Sequence, residues 1–412
     1  MGILKELPDE ILLSVFKHLE DKDLTQIARV CKRWWQLYHD PCLWRSRTFE
    51  FRGYCRSQNE RLQQSLTKYL SMMGRHLRCL RVVCSSPNLL TAYSEAQCVE
   101  HLLSGLSTFK EGRRSIREFH MSHLHFDETW SCFRSSKCLL VDTIIDFLSL
   151  QKNLRLFNMH DSYMTPPFGF RVVKALSRSK SANSLEVVNV VDFYSMEASK
   201  RIIGVQLRYL STKCCNLREI ALNYSYLYAT KVVDLCENLQ ATLKKLILYL
   251  SFWEYARPDD IISSDRWKLA RKVCPNLRVS VRMTNWSRDP AMFLGQEMPL
   301  VHLGVQGGQC RYSSLTFVDK TVNLLNHLAK NFAPTLKSIS LEADGSSGGL
   351  RLRQGELSGF LACCTNVRYV TLSDSILSLE SLRTIRSAFP ISPNGPVDIQ
   401  VVNADDQNMV YC

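Results

Sequence analysis

The sequence LPDEILLSVFKHL, at residues 7–19, predicts an amphipathic helix and decides how the chain begins to fold. Pro8 suits the first turn of a helix, where a backbone N–H has no carbonyl partner. Asp9 and Glu10 then lie at the positive end of the helix dipole. The apolar residues recur with the helical period of three or four positions. They are Ile11, Leu12, Val15, Phe16 and Leu19.

Two further helical segments follow this stretch. The sequence DLTQIARVCKRWWQLY predicts one helix over residues 23–38. In the sequence DPCLWRSRTF, Asp40 is placed to cap a third short element, and Pro41 comes next. Three short helices cannot bury so many Leu, Ile, Phe and Trp side chains by themselves. We therefore expect a partner to cover part of their surface.

The pattern of these helices resembles an F-box. The matching residues are Leu7, Pro8, Glu10, Ile11, Leu12, Val15, Phe16, Leu19, Asp23, Leu24, Val30, Cys31, Trp34, Leu43 and Trp44. The resemblance implies that this segment docks a Skp-type adaptor, which connects it to a cullin scaffold and a RING subunit in a ubiquitin ligase. The residues also fit an alternative, a small helical cap that closes the next domain.

The resemblance implies roles for eleven residues. Six would insert into the adaptor: Leu7, Pro8, Ile11, Leu12, Val15 and Phe16. Five would combine contact with the adaptor and packing inside the domain: Leu24, Val30, Cys31, Trp34 and Leu43.

A short pattern recurs ten times in the remainder of the chain, with a polar residue, an apolar residue, most often a basic residue, and then alternating apolar residues. The first apolar residues of the copies are Leu77, Ile116, Leu154, Leu185, Leu217, Leu243, Leu277, Leu300, Leu336 and Val367. Alternation of apolar residues predicts a short strand in each copy. Amphipathic helical segments lie between copies, such as LLVDTIIDFLSL from Leu139. Strand and helix in alternation predict a solenoid.

The predicted fold is thus of the α/β class, with a parallel inner sheet and outer helices. It resembles the leucine-rich repeats of F-box proteins in an irregular form. We expect a three-helix F-box at residues 1–50, about ten repeats at residues 51–403, and a polar tail at residues 404–412. In the cysteine-containing type of repeat, a Cys before Asn-Leu packs inside. The segments CCNL at Cys214, CPNL at Cys274 and CCTNV at Cys363 resemble that type.

Two segments, LWRSRTFEF after the third helix and RWKLARKVCPNLRV from Arg266, are similar to the F-box only protein 39 group. The resemblance implies a substrate receptor of an SCF-type ubiquitin ligase, whose repeats bind a protein for ubiquitination and proteasomal degradation. Such a receptor is not itself an enzyme and needs no cofactor. An alternative is a non-degradative scaffold or a nucleic-acid-binding repeat protein.

Composition bears on location and partners. The net charge is +13, but the first 50 residues hold eight basic and eight acidic side chains, so the excess is spread over the repeats. There is no run of five Lys or Arg, and this argues against nucleic acid as a partner. The sequence shows no signal peptide and no apolar run long enough for a membrane helix. Sixteen Cys without a Cys-x-x-Cys pair therefore predict reduced thiols in the cytoplasm or nucleus.

Two features are candidates for a substrate surface. A basic residue follows the first apolar residue of most repeats, and these residues would stack into a ladder about 5 Å apart. The ladder fits an acidic or phosphorylated peptide, or is a solvent-facing filler. The segments after the strands are rich in aromatic residues, which either form a binding rim or seal the solenoid. The candidate substrate residues are Phe252, Trp253, Arg257 and Trp286 on the rim, and Arg218, Lys244 and Arg278 on the ladder.

Signals for catalysis or metal binding are weak in the sequence. His120, His123 and His125 lie close together, with Cys132 and Cys138 nearby. Alternation along a strand would send His123 and His125 to the same side as Met121, and no second ligand pair has finger-like spacing. The glycine-containing segments lack the pattern of a phosphate loop. We therefore expect neither a metal site nor a catalytic residue.

Overall fold

The computed structural model describes the chain in eleven ranges, which are 7–19, 21–51, 56–84, 91–108, 116–227, 231–251, 261–286, 289–307, 317–343, 354–373 and 398–402. It divides into two compact units, Met1–Ala198 and Ser199–Cys412. None of the described helices is long and apolar enough to cross a bilayer.

The first unit begins with short helices. They are α1 (Asp9–Phe16), α2 (Asp21–Ile27) and α3 (Lys32–Tyr38), followed by a 3-10 turn at Pro41–Trp44. The prediction of one helix over residues 23–38 is wrong, because the chain is extended at Cys31, with φ −161°. The Cys31 Sγ accepts a hydrogen bond from the Trp34 N–H and caps α3. Asp40 caps the 3-10 turn as expected, at 2.8 Å from the Cys42 N–H.

These helices share one apolar core. Its buried members are Leu12, Phe16, Leu24, Ile27, Leu37, Leu43, Trp44 and Met73. Met73 comes from the first helix of the repeats, so the N-terminal helices and the repeats pack together. The Trp44 indole N–H donates to the Tyr38 carbonyl at 2.6 Å, and the Arg47 guanidinium lies 4.4 Å from the centre of the Trp44 ring. The core therefore extends past the end of the helices into the first strand.

The remainder of the first unit alternates strands and helices. The strands are β1 (Ser46–Phe51), β2 (Cys79–Cys84), β3 (Glu118–His120), β4 (Leu156–Asn158) and β5 (Val187–Asn189). The helices are α4 (Arg56–Met73), α5 (Ala92–Thr108), α6 (Arg134–Leu150) and α7 (Pro166–Arg178). Each strand pairs in parallel with the next one in sequence. The Phe119 ring of β3 lies 5.1 Å from the Phe147 ring of α6, so this helix packs on the sheet.

The second unit repeats this arrangement. Its strands are β6 (Glu219–Asn223), β7 (Lys245–Ser251), β8 (Arg278–Trp286), β9 (Leu300–Gly307), β10 (Ser338–Ala343), β11 (Tyr369–Ser373) and β12 (Asp398–Val402). Its helices are α8 (Lys200–Lys213), α9 (Lys231–Asn238), α10 (Ser264–Val273), α11 (Phe317–Asn331) and α12 (Gln354–Cys363). The strands again pair in parallel in sequence order.

The predicted α/β class, with N-terminal helices and then repeats that form a parallel sheet with helices, is confirmed. All ten predicted copies contain a strand, and the first apolar residue of every copy is buried. Two strands were missed. β1 lies across the expected boundary at residue 50, and β12 has no copy of the repeat pattern.

One cysteine of each of the three cysteine-containing segments lies in the interior. Cys214, Cys274 and Cys364, each two residues before the Asn of its repeat, are buried, whereas Cys215 and Cys363 are exposed. The Cys274 thiol lies 3.4 Å from the Cys236 carbonyl oxygen. All thirteen described cysteines are free thiols.

A substitution at Gly169 tests how closely α7 packs against its neighbours. A Cβ built on Gly169 would overlap the Tyr194 ring and lie 3.1 Å from Phe193 Cε1, whereas one built on Gly359 of α12 meets nothing within 4 Å. We expect Gly169→Ala to destabilise the protein by about 1–3 kcal/mol through overpacking. Gly359→Ala should instead stabilise it by up to about 1 kcal/mol, because Ala favours helix.

The measurement is urea unfolding of both variants, monitored by circular dichroism. Equal effects of the two substitutions, or a gain in stability for Gly169→Ala, would contradict the packing described here.

Candidate functional site

The N-terminal helices expose an unusual number of apolar side chains. Of the thirteen large apolar residues exposed in the described chain, four lie between residues 11 and 35. They are Ile11 (48% exposed), Val15 (50%), Val30 (53%) and Trp35 (53%). Ile11 and Val15 are four residues apart in α1 and so share one face of the helix. We call Ile11, Val15, Val30 and Trp35, together with the exposed Pro8 and Cys31, the N-terminal apolar surface.

Several residues expected at the adaptor lie inside the domain instead. Leu12 and Phe16, which we expected to insert into the adaptor, are buried. Leu24 and Leu43, expected to combine contact and packing, are buried as well. Leu7 and Trp34 are half-buried against the same core, and the Trp34 ring lies 5.3 Å from the Phe16 ring. These residues form the core of the domain. The apolar side chains that remain accessible to a partner are those of the N-terminal apolar surface.

Arg33 fixes the start of α1 against α3. Its Nε donates to the Asp9 carboxylate at 2.8 Å, and a second guanidinium nitrogen donates to the Leu7 carbonyl at 2.5 Å. These bonds hold the first turn in place and therefore position Pro8 and Ile11. The sequence pattern did not reveal this role, because Arg33 lies 24 residues from Asp9.

The residues of the predicted basic ladder are joined by backbone hydrogen bonds at the amino ends of the strands. In the first unit the Arg117 N–H donates to the Arg78 carbonyl at 2.7 Å, and the Arg155 N–H donates to the Arg117 carbonyl at 2.6 Å. Burial, together with the charges of Arg117 and Arg45, lowers the pKa of Arg78. This part of the ladder ends at Glu186, whose carboxylate lies 3.7 Å from the Arg155 guanidinium.

The second unit carries the ladder residues proposed for substrate binding. The Lys244 N–H donates to the Arg218 carbonyl, and the Arg278 N–H donates to the Lys244 carbonyl, both at 2.9 Å. All three side chains are exposed. Val301 occupies the corresponding place in the next repeats, since the Lys337 N–H donates to its carbonyl at 2.8 Å. Apolar Val301 therefore interrupts the positive charge.

A second polar surface, missed in the sequence, lies on the sheet of the second unit. Tyr249, Arg282 and Gly304 are register partners on β7, β8 and β9, and His302 lies two residues before Gly304. An Arg282 guanidinium N–H donates to the Tyr249 hydroxyl at 3.0 Å. We call Tyr249, Arg282, His302 and Gly304 the open sheet face. The sequence feature that could have revealed it is the set of polar residues that alternate with the apolar ones along these strands.

The aromatic segments after the strands are mostly interior. Six of the aromatic residues expected along the rim are buried, namely Phe126, Trp130, Phe193, Tyr194, Tyr224 and Tyr226. For these residues the alternative of sealing the repeats is the correct one. Phe252, Trp253 and Arg257 lie outside the described residues, as does the side chain of Trp286, whose backbone ends β8 opposite Gly307.

The histidines near residue 120 do not alternate along one strand. β3 ends at His120, and His123 and His125 adopt left-handed backbone conformations with φ of 59° and 47°. The prediction that His123 and His125 alternate along a strand is therefore wrong. Cys132 and Cys138 belong to no group of described residues whose ligand atoms lie close enough for one metal ion.

Comparison with known proteins agrees with this arrangement. An F-box-like family model matches residues 4–50. The F-box/LRR-repeat protein 21 of Ovis aries is 24% identical over 306 residues, which are 72% of this chain and 63% of the relative. Its Mus musculus counterpart is 22% identical over 311 residues, with the same shares. The F-box/LRR-repeat protein 12 of Homo sapiens is 49% identical over 45 residues, 11% of this chain and 14% of the relative.

The N-terminal helices form an F-box-like domain, and the chain is similar to F-box/LRR-repeat proteins over 72% of its length. The F-box lies where the apolar helices were found, and the repeat region is the parallel sheet with its helices. The resemblance to the F-box only protein 39 group is not confirmed by these relatives.

We expect His302 of the open sheet face to make the stability of the protein depend on pH. Burial, and then the charges of Arg282 and Lys245, lower the pKa of His302 to about 4. An unfolded chain takes up this proton near pH 6.5, so we expect the contribution of neutral His302 to stability to be lost as the pH falls from about 6.5 to about 4.

Nuclear magnetic resonance titration of the histidine ring protons tests this, with His302→Gln used to assign the signal. Because Arg282 adds to the effect of burial, Arg282→Leu should raise the pKa of His302 part of the way. A His302 signal that titrates near pH 6.5 would contradict the burial of this ring.

Proposed function

We propose that this chain is the substrate-recognition subunit of an SCF-type ubiquitin ligase. The N-terminal apolar surface is the observation that supports this most strongly. Four exposed apolar side chains on small, well-packed helices cost solvation free energy unless a partner covers them. The F-box-like match over the same residues supports a Skp-type adaptor as that partner. A cullin and a RING subunit join through the adaptor.

In this proposal the chain carries no catalytic residue. Ubiquitin transfer is accelerated because the receptor raises the effective concentration of substrate lysines near the conjugating enzyme. The outcome for the substrate is degradation by the proteasome. The free thiols of the described cysteines support a site of action in the cytoplasm or nucleus.

We further propose that the protein substrate binds the repeats of the second unit. The open sheet face offers a Tyr and an Arg, which are the residue types most often found at binding hot spots. Gly304 adds no side chain to this face, and a Cβ built there would make ordinary van der Waals contacts of 3.7 Å with the side chains of Arg282 and His302. Arg218, Lys244 and Arg278 continue the positive charge along the amino ends of the strands. The chemistry fits a substrate with acidic groups.

The rim residues remain part of this proposal. In the sequence, Phe252 and Trp253 directly follow β7 and Trp286 ends β8, and the carboxyl ends of these two parallel strands lie at one edge of the sheet. Arg257 lies in the first of these segments.

Adaptor binding tests the first half of the proposal. Ile11→Glu places a charge in the N-terminal apolar surface, and we expect it to weaken binding of a purified Skp-type adaptor at least about tenfold. The control is Ile202→Glu in α8, because Ile202 is equally exposed at 47% but lies in the second unit. Isothermal titration calorimetry measures both affinities. Equal affinities for the two variants would refute the proposed interface.

Substrate trapping tests the second half. In a chain that carries Ile11→Glu, so that bound proteins are not ubiquitinated, we compare cross-linked proteins with and without Arg282→Ala. The expected result is at least about a tenfold loss of captured substrate, since Arg282 is a proposed hot spot. Arg266→Ala, on helix α10, is the matched control and should change nothing. Capture that survives Arg282→Ala and Tyr249→Ala together would place the substrate elsewhere.

A further inference from the structure

Three consecutive segments of the first unit stack on one another where their strands end. They are residues 121–126 after β3, 159–164 after β4 and 190–194 after β5. The His123 N–H donates to the His160 carbonyl at 3.0 Å, and the Asp161 N–H donates to the Val191 carbonyl at 3.0 Å. Backbone hydrogen bonds between successive segments thus continue beyond the strands.

These segments share an uncommon backbone conformation. All five non-glycine residues with positive φ in the described chain lie here, namely His123, His125, Asp161, Tyr163 and Asp192. His and Asp tolerate this left-handed region better than most residues. Because the conformation recurs in successive segments, side chains of corresponding positions lie one above another, and His123 comes to lie beside Asp161. Rigid stacked segments hold a side-chain cluster that no single segment could form.

The cluster consists of His123, His160 and Asp161. One ligand atom from each lies within 4.8 Å of the other two. The Nε2 atoms of the two histidines are 3.1 Å apart. The Asp161 carboxylate lies 2.8 Å from His123 Nδ1 and 3.8 Å from His160 Nε2.

Hydrogen bonds place the ring proton of both histidines on Nδ1, the nitrogen that does not face the other ring. The His160 backbone N–H donates to Asn158 Oδ1, which identifies that atom as the oxygen, and His160 Nδ1 lies 2.9 Å from it. His160 Nδ1 therefore carries the ring proton. His123 Nδ1 likewise carries a proton for the Asp161 carboxylate. A neutral imidazole has one N–H, so both Nε2 atoms present lone pairs to each other.

Two lone pairs at this distance repel unless a cation lies next to both. A metal ion at about 2.0–2.1 Å from each Nε2 would make an N–metal–N angle of about 100°, close to that of a tetrahedral site. The outer hydrogen bonds also match those of metal-bound histidines, which donate their other N–H to a carboxylate or carbonyl oxygen. Imidazole ligands select transition-metal ions over magnesium.

We propose that His123 and His160 bind a transition-metal dication such as Zn²⁺ through their Nε2 atoms. Asp161 accepts the His123 N–H and supplies negative charge, and Asn158 orients His160. The remaining coordination positions face solvent beside exposed His123, where water or a ligand atom of a bound protein completes the site.

Zinc titration of the full chain, stripped of metal with a chelator, tests this site by calorimetry. Because free thiols also bind zinc, the readout is the difference between variants. We expect His123→Asn and His160→Gln each to remove one zinc-binding event, and Asp161→Asn to weaken it about 10–100-fold. Asn tolerates the left-handed backbone at residues 123 and 161, so these variants preserve the fold.

The matched control is His125→Asn. His125 also has positive φ, and its ring stacks on Tyr163 at 5.4 Å and on His123 at 6.2 Å, but it offers no ligand atom to the cluster. The His125→Asn variant should bind zinc like the unchanged chain. Mg²⁺ should not bind at the cluster in any variant. Thermal unfolding in the chelator checks that each variant is folded.

Equal zinc stoichiometry and affinity in the unchanged chain, His123→Asn and His160→Gln would overturn the proposal. So would the absence of zinc binding by the folded chain, which would mean that an additional proton, not a metal, lies between the two rings.

Discussion

Backbone hydrogen bonds between neighbouring parallel strands hold successive repeats in register, and the surfaces described here depend on them. Strands β3, β4 and β5 are only three residues long and gain stability from the repeats beside them. The register buries the first apolar residue of every repeat and leaves alternate residues on the open side. It also brings together residues far apart in sequence, such as Tyr249 and Arg282 on the sheet, or His123 and His160 beyond it.

The F-box helices form a core and an exposed apolar surface with few residues. α1 must contribute to a core and also present a surface, and both faces are apolar. Leu12 and Phe16 point inward, whereas Ile11 and Val15 remain exposed. The small core is completed by Met73 from the first helix of the repeats, which attaches the N-terminal helices to the repeats of the same unit. An adaptor covering Ile11 and Val15 would remove apolar area from water without disturbing that core.

Sequence periodicity predicted the architecture because strands and helices have different apolar periods, and all ten predicted repeats were found. It could not separate core from surface in α1, because Leu12 and Ile11 are both apolar and differ only in tertiary contacts. The break at Cys31 was missed because the apolar pattern continues through it. The histidine cluster was missed because its geometry comes from left-handed residues in stacked segments, which strand alternation does not describe.

The central claim is that the N-terminal apolar surface is the adaptor interface, and hydrogen–deuterium exchange of the full chain with a Skp-type adaptor tests it most directly. We expect slower exchange at residues 8–38 when the adaptor is added, with little change in the repeats of the second unit. Unchanged exchange at residues 8–38, or protection confined to the repeats, would contradict it.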